Sequence, residues 1–207
     1  MKRKELNNPL KKVLFTSFIL LLLDQITKIL VITYPPPILG FEVFGFYWFK
    51  IRYVLNEGMA FGWVIPGDYG KLILTLFRII VVVWGLFYVN KLIKQNSFSS
   101  GLLICFGLII GGALGNIIDS IFYGVIFNDS YNSVASLFPE SGGYAPLLHG
   151  KVVDMFYFPL INSHFPNWMP FIGGDHFIFF RPVFNIADTG ISVGIFIILI
   201  FYRKLFN

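Results

Sequence analysis

Charge is scarce in this chain: 13% of its 207 residues are Asp, Glu, Lys or Arg, against 56% hydrophobic ones. Soluble domains average about 25% charged residues, so a soluble globular reading is excluded and lipid is the expected solvent. Cysteine is scarcer still. The single Cys105 allows no internal disulfide and no cysteine-rich metal site, and its place in an apolar run makes packing its role. Leu102 to Cys105 faintly looks like a lipobox but lies far from the N-terminus, so it is set aside. Serine or cysteine nucleophile motifs, phosphate loops and dinucleotide fingerprints are also missing, as are repeats, low-complexity tracts and soluble linkers.

What is there is apolar sequence, with a mean hydropathy of +0.73. Stretches 13–34, 72–89, 102–122 and 184–202 are long enough, or nearly so, to cross a bilayer, which gives an all-α membrane protein of four spans in one domain, 1–207. The formal charge of +5 is a matter of position. The cations flank the apolar runs, where they serve orientation rather than nucleic-acid binding. Lys2, Arg3, Lys4, Lys11 and Lys12, then Lys91 and Lys94, then Arg203 and Lys204 put residues 1–12, 90–100 and the tail in the cytoplasm. The first span is expected to stay uncleaved, because no small-residue cleavage site follows it and Asp24, Gln25 and Lys28 interrupt its second half. Segments 35–71 and 123–183 then face outward. Phe41 to Leu55, punctuated by Gly40, Gly45 and Gly58, reads either as short strands or as aromatic anchoring in which Trp48 and Trp63 sit at the lipid interface.

Ionisable groups inside spans are costly and mark function or pairing. At about 1.5 Å per residue, Asp24 and Lys28 lie in the outer half of the first span. Asn116 and Asp119 lie near the outer end of the third, and Asn185 and Asp188 at the outer mouth of the fourth. Three spans thus bring polar groups to one level. Asn116 with Asp119 and Asn185 with Asp188 are spaced i,i+3 and share a helix face, while Asp24 and Lys28, at i,i+4, are placed either to neutralise one another or to contact substrate or headgroups. Gly111, Gly112 and Gly115 permit close helix approach just before Asn116. Asp154 stands in an apolar stretch too short to span, which is expected to dip into the interface. A carboxyl in such surroundings titrates high, and a second one nearby raises it further. Two carboxyls sharing a proton can activate water and polarise a carbonyl at once.

The stretches Asp24-Gln25-Ile26-Thr27-Lys28, Asn56-Glu57-Gly58-Met59-Ala60-Phe61-Gly62, Gly111-Gly112-Ala113-Leu114-Gly115-Asn116-Ile117-Ile118-Asp119, Val152-Val153-Asp154 and Phe184-Asn185-Ile186-Ala187-Asp188 resemble, in order and over nearly the whole chain, those of lipoprotein signal peptidase, or signal peptidase II. The resemblance implies four transmembrane helices with both termini cytoplasmic, a small extracytoplasmic β-structure, and an aspartyl dyad of Asp154 and Asp188 at the outer face of the bacterial inner membrane. It implies supporting or substrate-binding roles for Asp24, Lys28, Asn56, Gly58, Asn116, Asp119 and Asn185. The implied substrate is a prolipoprotein whose cysteine already carries diacylglycerol, cut just before that cysteine. No metal or other cofactor is implied, membrane lipids and the prolipoprotein are the expected partners, and a monomer is the expected state. The depth argument alone leaves Asp154 and Asp119 as alternatives for the dyad; the choice of Asp154 comes from the resemblance.

Two departures stand out. The acid of the family's GNxxD motif is usually followed by Arg, whereas Ser120 follows Asp119 here, so Arg78 or Arg181 would have to replace that charge. The family also joins GNxxD to VVD by a few residues, whereas 125–149 intervene here, rich in Ser, Gly and Asn; this stretch and the long one between Tyr157 and Val183 would be a lid, a partner surface or passive loops. Asp188-Thr189-Gly190 spells the triplet of soluble aspartic proteases but occurs once and at a helix start, so it is a coincidence. His149, His164, Asp175 and His176 lack regular ligand spacing and read as solvated loop residues. The rival readings are a non-catalytic transporter or lipid-binding subunit, which needs acids along a mid-bilayer path, and an intramembrane protease with another substrate.

Overall fold

The computed structural model describes residues 8–34, 40–57, 69–96, 98–128 and 134–203. Gly58, the motif residues Met59 to Gly62, Trp63, Lys2, Arg3, Lys4 and Lys204 lie outside the described residues. Among the described residues, three helices are long and apolar enough to cross a membrane: α1 (Pro9–Thr33), α2 (Gly70–Lys94) and α3, which starts at Ser100 and runs to Ile126. The fourth apolar helix, α4 (Ile186–Phe201), has 16 residues. It is shorter than the stretch 184–202 suggests because Val183–Phe184 is drawn into a strand and Asn185 caps the helix through a capping box with Asp188. Such a box satisfies two amides that a helix start leaves unpaired.

The other strands are β1 (Phe41–Glu42), β2 (Lys50–Asn56), β3 (Val152–Tyr157), β4 (Ile161–His164), β5 (His176–Phe179) and β6 (Val183–Phe184). Strands β1, β2, β3 and β6 form one antiparallel sheet in that order, and β4 pairs with β5 in a separate hairpin. The strand reading of the first outer segment is the one the fold adopts, with Trp48 and Phe49 stacking on Phe158 within it. Asp154 does not lie in a loop dipping into the interface: it sits in a central strand, whose run VVDMFY is almost wholly buried. Tertiary pairing on both sides, to β2 and β6, makes a strand of that apolar, β-branched run.

Helix α3 is the hub, packing against α1, α2 and α4. Its glycines allow this. A Cβ at Gly111 would lie 2.7 Å from the carbonyl oxygen of Ser17 and 2.8 Å from its Cα, contacts that only backbone movement relieves. Gly111→Val is therefore expected to force α1 from α3, destabilising the chain by about 1–3 kcal/mol or more, read as a lower melting temperature in detergent. An unchanged melting temperature would mean the helices are not held at this spacing. At one end of the bundle, the side chain of Lys12 bonds to that of Ser100 and Ser99 donates to Tyr202 at 3.1 Å, so the starts of α1 and α3 meet the end of α4 beside basic residues.

At the opposite end α3 changes pitch. Asp119–Tyr123 forms a π-helical turn, a feature that often accompanies functional sites. The long insertion folds back on it. Gly150 N donates to Ser120 O at 2.9 Å, Leu148 N to Ile121 O at 3.1 Å and Ala145 N to Gly124 O at 3.0 Å, while Phe127 and Ala135 are buried. Where described, this segment is a packed cap on the end of α3.

Candidate active site

Six separate elements, the helices α1 to α4 and the strands β2 and β3, deliver polar side chains to the capped end of the bundle. The deepest group is Lys28, which is 0% exposed, as are Asp24 and Asp119. Its ammonium lies 2.8 Å from Asp24 Oδ2 and 2.7 Å from Asp119 Oδ2 and donates to Asn116 Oδ1 at 3.0 Å. An ammonium has three protons, and each has an acceptor. The carboxylates are completed in turn: Ala187 N donates to Asp24 Oδ1 at 2.9 Å, and Gln25 Nε2 to Asp119 Oδ1 at 2.9 Å. Asp24 thus also caps the start of α4, where unpaired amides and the helix dipole favour an anion. The pairing of Asp24 with Lys28 is real but incomplete as a description, because Lys28 neutralises two acids on two helices.

Beside this ionic core lies a second cluster. Asn185 Nδ2 donates to Asp154 Oδ1 at 2.8 Å and to Asn116 Oδ1 at 3.2 Å. Asn56 Nδ2 donates to Asp154 Oδ2 at 2.8 Å, and Asn116 Nδ2 donates to Asp188 Oδ1 at 2.8 Å. Strand β3 puts Asp154 here, the register of β2 adds Asn56 from the next strand over, and the capping box fixes Asp188 on the first turn of α4. Burial, and after it the negative charge of Asp188, push the Asp154 carboxyl up to about 7, against the opposing pull of the Asn56 hydrogen bond and the Lys28 charge. Desolvation disfavours the ionised carboxyl and a nearby like charge adds to that, so Asp154 gives up its proton only around neutrality.

The cluster borders a cavity of about 740 Å³ whose lining includes Asn56, Arg78, Asn116 and Asp188 at its polar part. Apart from Thr189 and Ser192 the remainder is apolar, with Phe77 and Val81 from α2, Ile109 and Ala113 from α3, and Ile191 and Ile195 from α4. Asp154 itself is 1% exposed and lies behind the amides of Asn56 and Asn185. Of the two arginines that could stand in for a cation at Ser120, Arg78 reaches it, with Nη1 donating to Ser120 Oγ at 3.4 Å. Arg181 is exposed.

The structure therefore brings together Asp24, Lys28, Asn56, Asn116, Asp119, Asp154, Asn185 and Asp188, in two clusters joined through Asn116. It separates them by access: Asn56, Asn116 and Asp188 face the cavity, while Asp24, Lys28 and Asp119 are sealed behind it. Sequence reasoning assigned no role to Gln25 or Tyr123. Gln25 Nε2 bonds Asp119, and its Oε1 accepts from Tyr123 at 3.1 Å; an amide at lipid depth next to Asp24 was the available signal. Among the described residues, no group of three or more His, Cys, Asp or Glu is placed to hold a metal ion. His164 and His176 oppose each other across two strands rather than lying in loops.

Comparison with known proteins identifies the family. Residues 16–204 match the family described as Signal peptidase (SPase) II. A lipoprotein signal peptidase of Porphyromonas gingivalis is 48% identical over 186 residues, spanning 90% of this chain and 80% of that protein. One from Amoebophilus asiaticus is 40% identical over 154 residues, 74% of this chain and 61% of that one. The fold is similar to that of a bacterial membrane enzyme solved by the in meso method at 2.3 Å, with a TM-score of 0.61 at 22% identity over 94% of this chain and 88% of the other. A profile match across nearly the whole length, a close relative and a shared fold place the chain in the signal peptidase II family: it is a multi-pass membrane peptidase.

Proposed function

We propose that this peptidase removes signal peptides from prolipoproteins whose cysteine already carries diacylglycerol, cutting before that cysteine, with Asp154 and Asp188 as the reacting pair. The observation that carries the reading is that Asp188 lines the polar part of a mostly apolar cavity while Asp154, close enough for the Asp188 charge to help push it up to about 7, is held just behind that lining by Asn56 and Asn185. Asp188, facing the cavity, takes a proton from the attacking water as Asp154 donates its own toward the carbonyl oxygen. Asn56 and Asn185 must yield part of their hold on Asp154 for this to happen. Asn116 ties Asp188 to Lys28 and so fixes its carboxyl against the ionic core. The acyl chains of the substrate would lie in the apolar part of the cavity between α2 and α4. A lipid anchored there restricts the scissile bond to one depth, which turns a search into a local encounter.

Four spans in a single domain, with both termini in the cytoplasm and the reacting pair at the outer face, complete the proposal. Lys11, Lys12, Lys91, Lys94 and Arg203 at the other end of the helices support that orientation. The transporter reading is disfavoured, since it calls for acids strung along a path and those of this chain gather at one end. Purified protein in vesicles should cleave a diacylglyceryl-modified precursor and leave the unmodified one intact. Equal cleavage of both would reject the lipid-dependent reading.

Arg78 is part of the same reading, standing in for the cation that Ser120 lacks. Arg78→Gln is expected to lower kcat/KM by about tenfold to a hundredfold, the roughly 1.5–3 kcal/mol of a hydrogen bond to a charged group. Arg181→Gln should cleave like the parent. Parental rates in both variants would refute the assignment.

A further inference from the structure

The hairpin between β3 and β6 takes no part in the chemistry above. Strands β4 and β5 pair from Ile161↔Phe179 to His164↔His176, and the turn between them is tied by its own backbone. Phe165 N donates to Asp175 O at 2.9 Å, Gly174 N to Phe165 O at 3.0 Å and Gly173 N to Met169 O at 3.0 Å. This ordered turn holds large apolar groups outward. Trp168 is 80% exposed and Phe171 103% exposed. Phe171 also sits at φ 68°, a left-handed conformation that a residue with a Cβ rarely adopts. From Pro159 through Gly174 no side chain carries a formal charge, and His164 is the one titratable group. Exposed apolar surface of this kind marks a contact with a membrane or another protein.

The position and the chemistry of the turn favour lipid. The strand returning from it leads into Phe180, Pro182 and Val183, which line the cavity together with Ile195. Ile195 lies roughly 14 Å along α4 from its first residue, at 1.5 Å per residue, so the root of the hairpin adjoins the span itself. Strands of four residues carry the turn only roughly 13 Å from that root, keeping it close to the lipid surface. Indole and phenyl rings among uncharged polar neighbours such as Asn167 and Ser163 suit the headgroup level. A protein interface would instead be framed by a polar and charged rim, and this turn has no charge before Asp175.

We propose that the β4–β5 hairpin rests its turn on the lipid surface at the cavity's end of the bundle, inserting Trp168 and Phe171, and so anchors the cavity rim to the membrane. The test uses the full chain with Asn167→Cys, labelled with a polarity-sensitive fluorophore and reconstituted into phosphatidylcholine vesicles; the buried Cys105 leaves the parent chain as a labelling control. A second label at Ser141→Cys, in an exposed turn of the other insertion, reports on water. The label at 167 should lose emission in vesicles with brominated acyl chains and be protected from aqueous iodide, with the reverse at 141. Adding Trp168→Ser and Phe171→Ser should abolish the bromolipid quenching at 167. Quenching at 167 by iodide alone would mean that the turn stands in water. Protection from both quenchers would mean a protein contact, such as a second copy. Either result overturns the proposal, as does bromolipid quenching that survives loss of both rings.

Discussion

Asp154→Asn is expected to abolish cleavage of a diacylglyceryl precursor, with kcat/KM falling by at least about 10³, within the range that general acid–base catalysis supplies. Asp188→Asn is expected to do the same. Both replacements keep the size of the side chain, so both variants should still fold. Asp188→Asn keeps one oxygen that can accept from the Asn185 amide but loses the negative charge in the first turn of α4, a loss of about 0.3–1 kcal/mol, and its melting temperature should fall modestly. Cleavage surviving in either variant would remove the pair from the mechanism.

The same pair makes a pH prediction whose sign follows from Asp154. Its carboxyl is pushed up to about 7, and the proposed step needs it protonated. Below that value the proton is in place; above it, two like charges face each other and the carbonyl loses its acid. The rate should therefore decline on the alkaline side around neutrality, with an apparent value that belongs to the coupled pair rather than to one residue. Asn56→Ala removes a hydrogen bond that favours the ionised form and should move this decline to higher pH. A decline unmoved in that variant would argue that another group sets it.

Lys28→Met should have the largest effect on stability. It would leave Asp24 and Asp119 facing each other at 0% exposure with no cation between them. Removing one partner from a buried ion network costs about 3–5 kcal/mol, a large part of the total for most domains. The expected result is a sharp drop in thermal stability in detergent and little folded protein. Adding Asp119→Asn to Lys28→Met should recover part of the loss, since it removes one of the stranded charges. If the single variant melted like the parent, the compact cluster of Lys28 with both acids would not exist in the folded state.

Much of this organisation was legible in the sequence. Hydrophobic runs mark the helices because a buried or lipid-facing helix must be apolar over its length. Rise per residue then fixed the depth of Asp24, Asn116, Asp119 and Asp188, since helix geometry leaves little freedom. Spacing of i,i+3 put Asn185 and Asp188 on one helix face; in the fold Asn185 is instead the extended cap residue of α4, and the two side chains meet through the capping box. The strand nature of Val152–Tyr157 was not legible, because strand pairing is non-local: β3 becomes a strand by pairing with residues almost 100 positions earlier, as in Leu55↔Val153. Gln25 carried one local signal, an amide at lipid depth beside Asp24, but its partners Asp119 and Tyr123 stand almost 100 positions later and only packing names them.

By itself the sequence determined that the chain lives in lipid, which ends of its helices are basic, and at which level its polar residues stand. Periodicity, hydropathy and helical rise are properties of a single segment, and each can be read without knowing its neighbours. Only the tertiary structure decided that Lys28 is committed to Asp24 and Asp119, leaving Asp154 to face the charge of Asp188. The assignment depends on distances between groups on different elements, and a charge senses whatever packing brings within a few ångströms, however far away it lies along the chain.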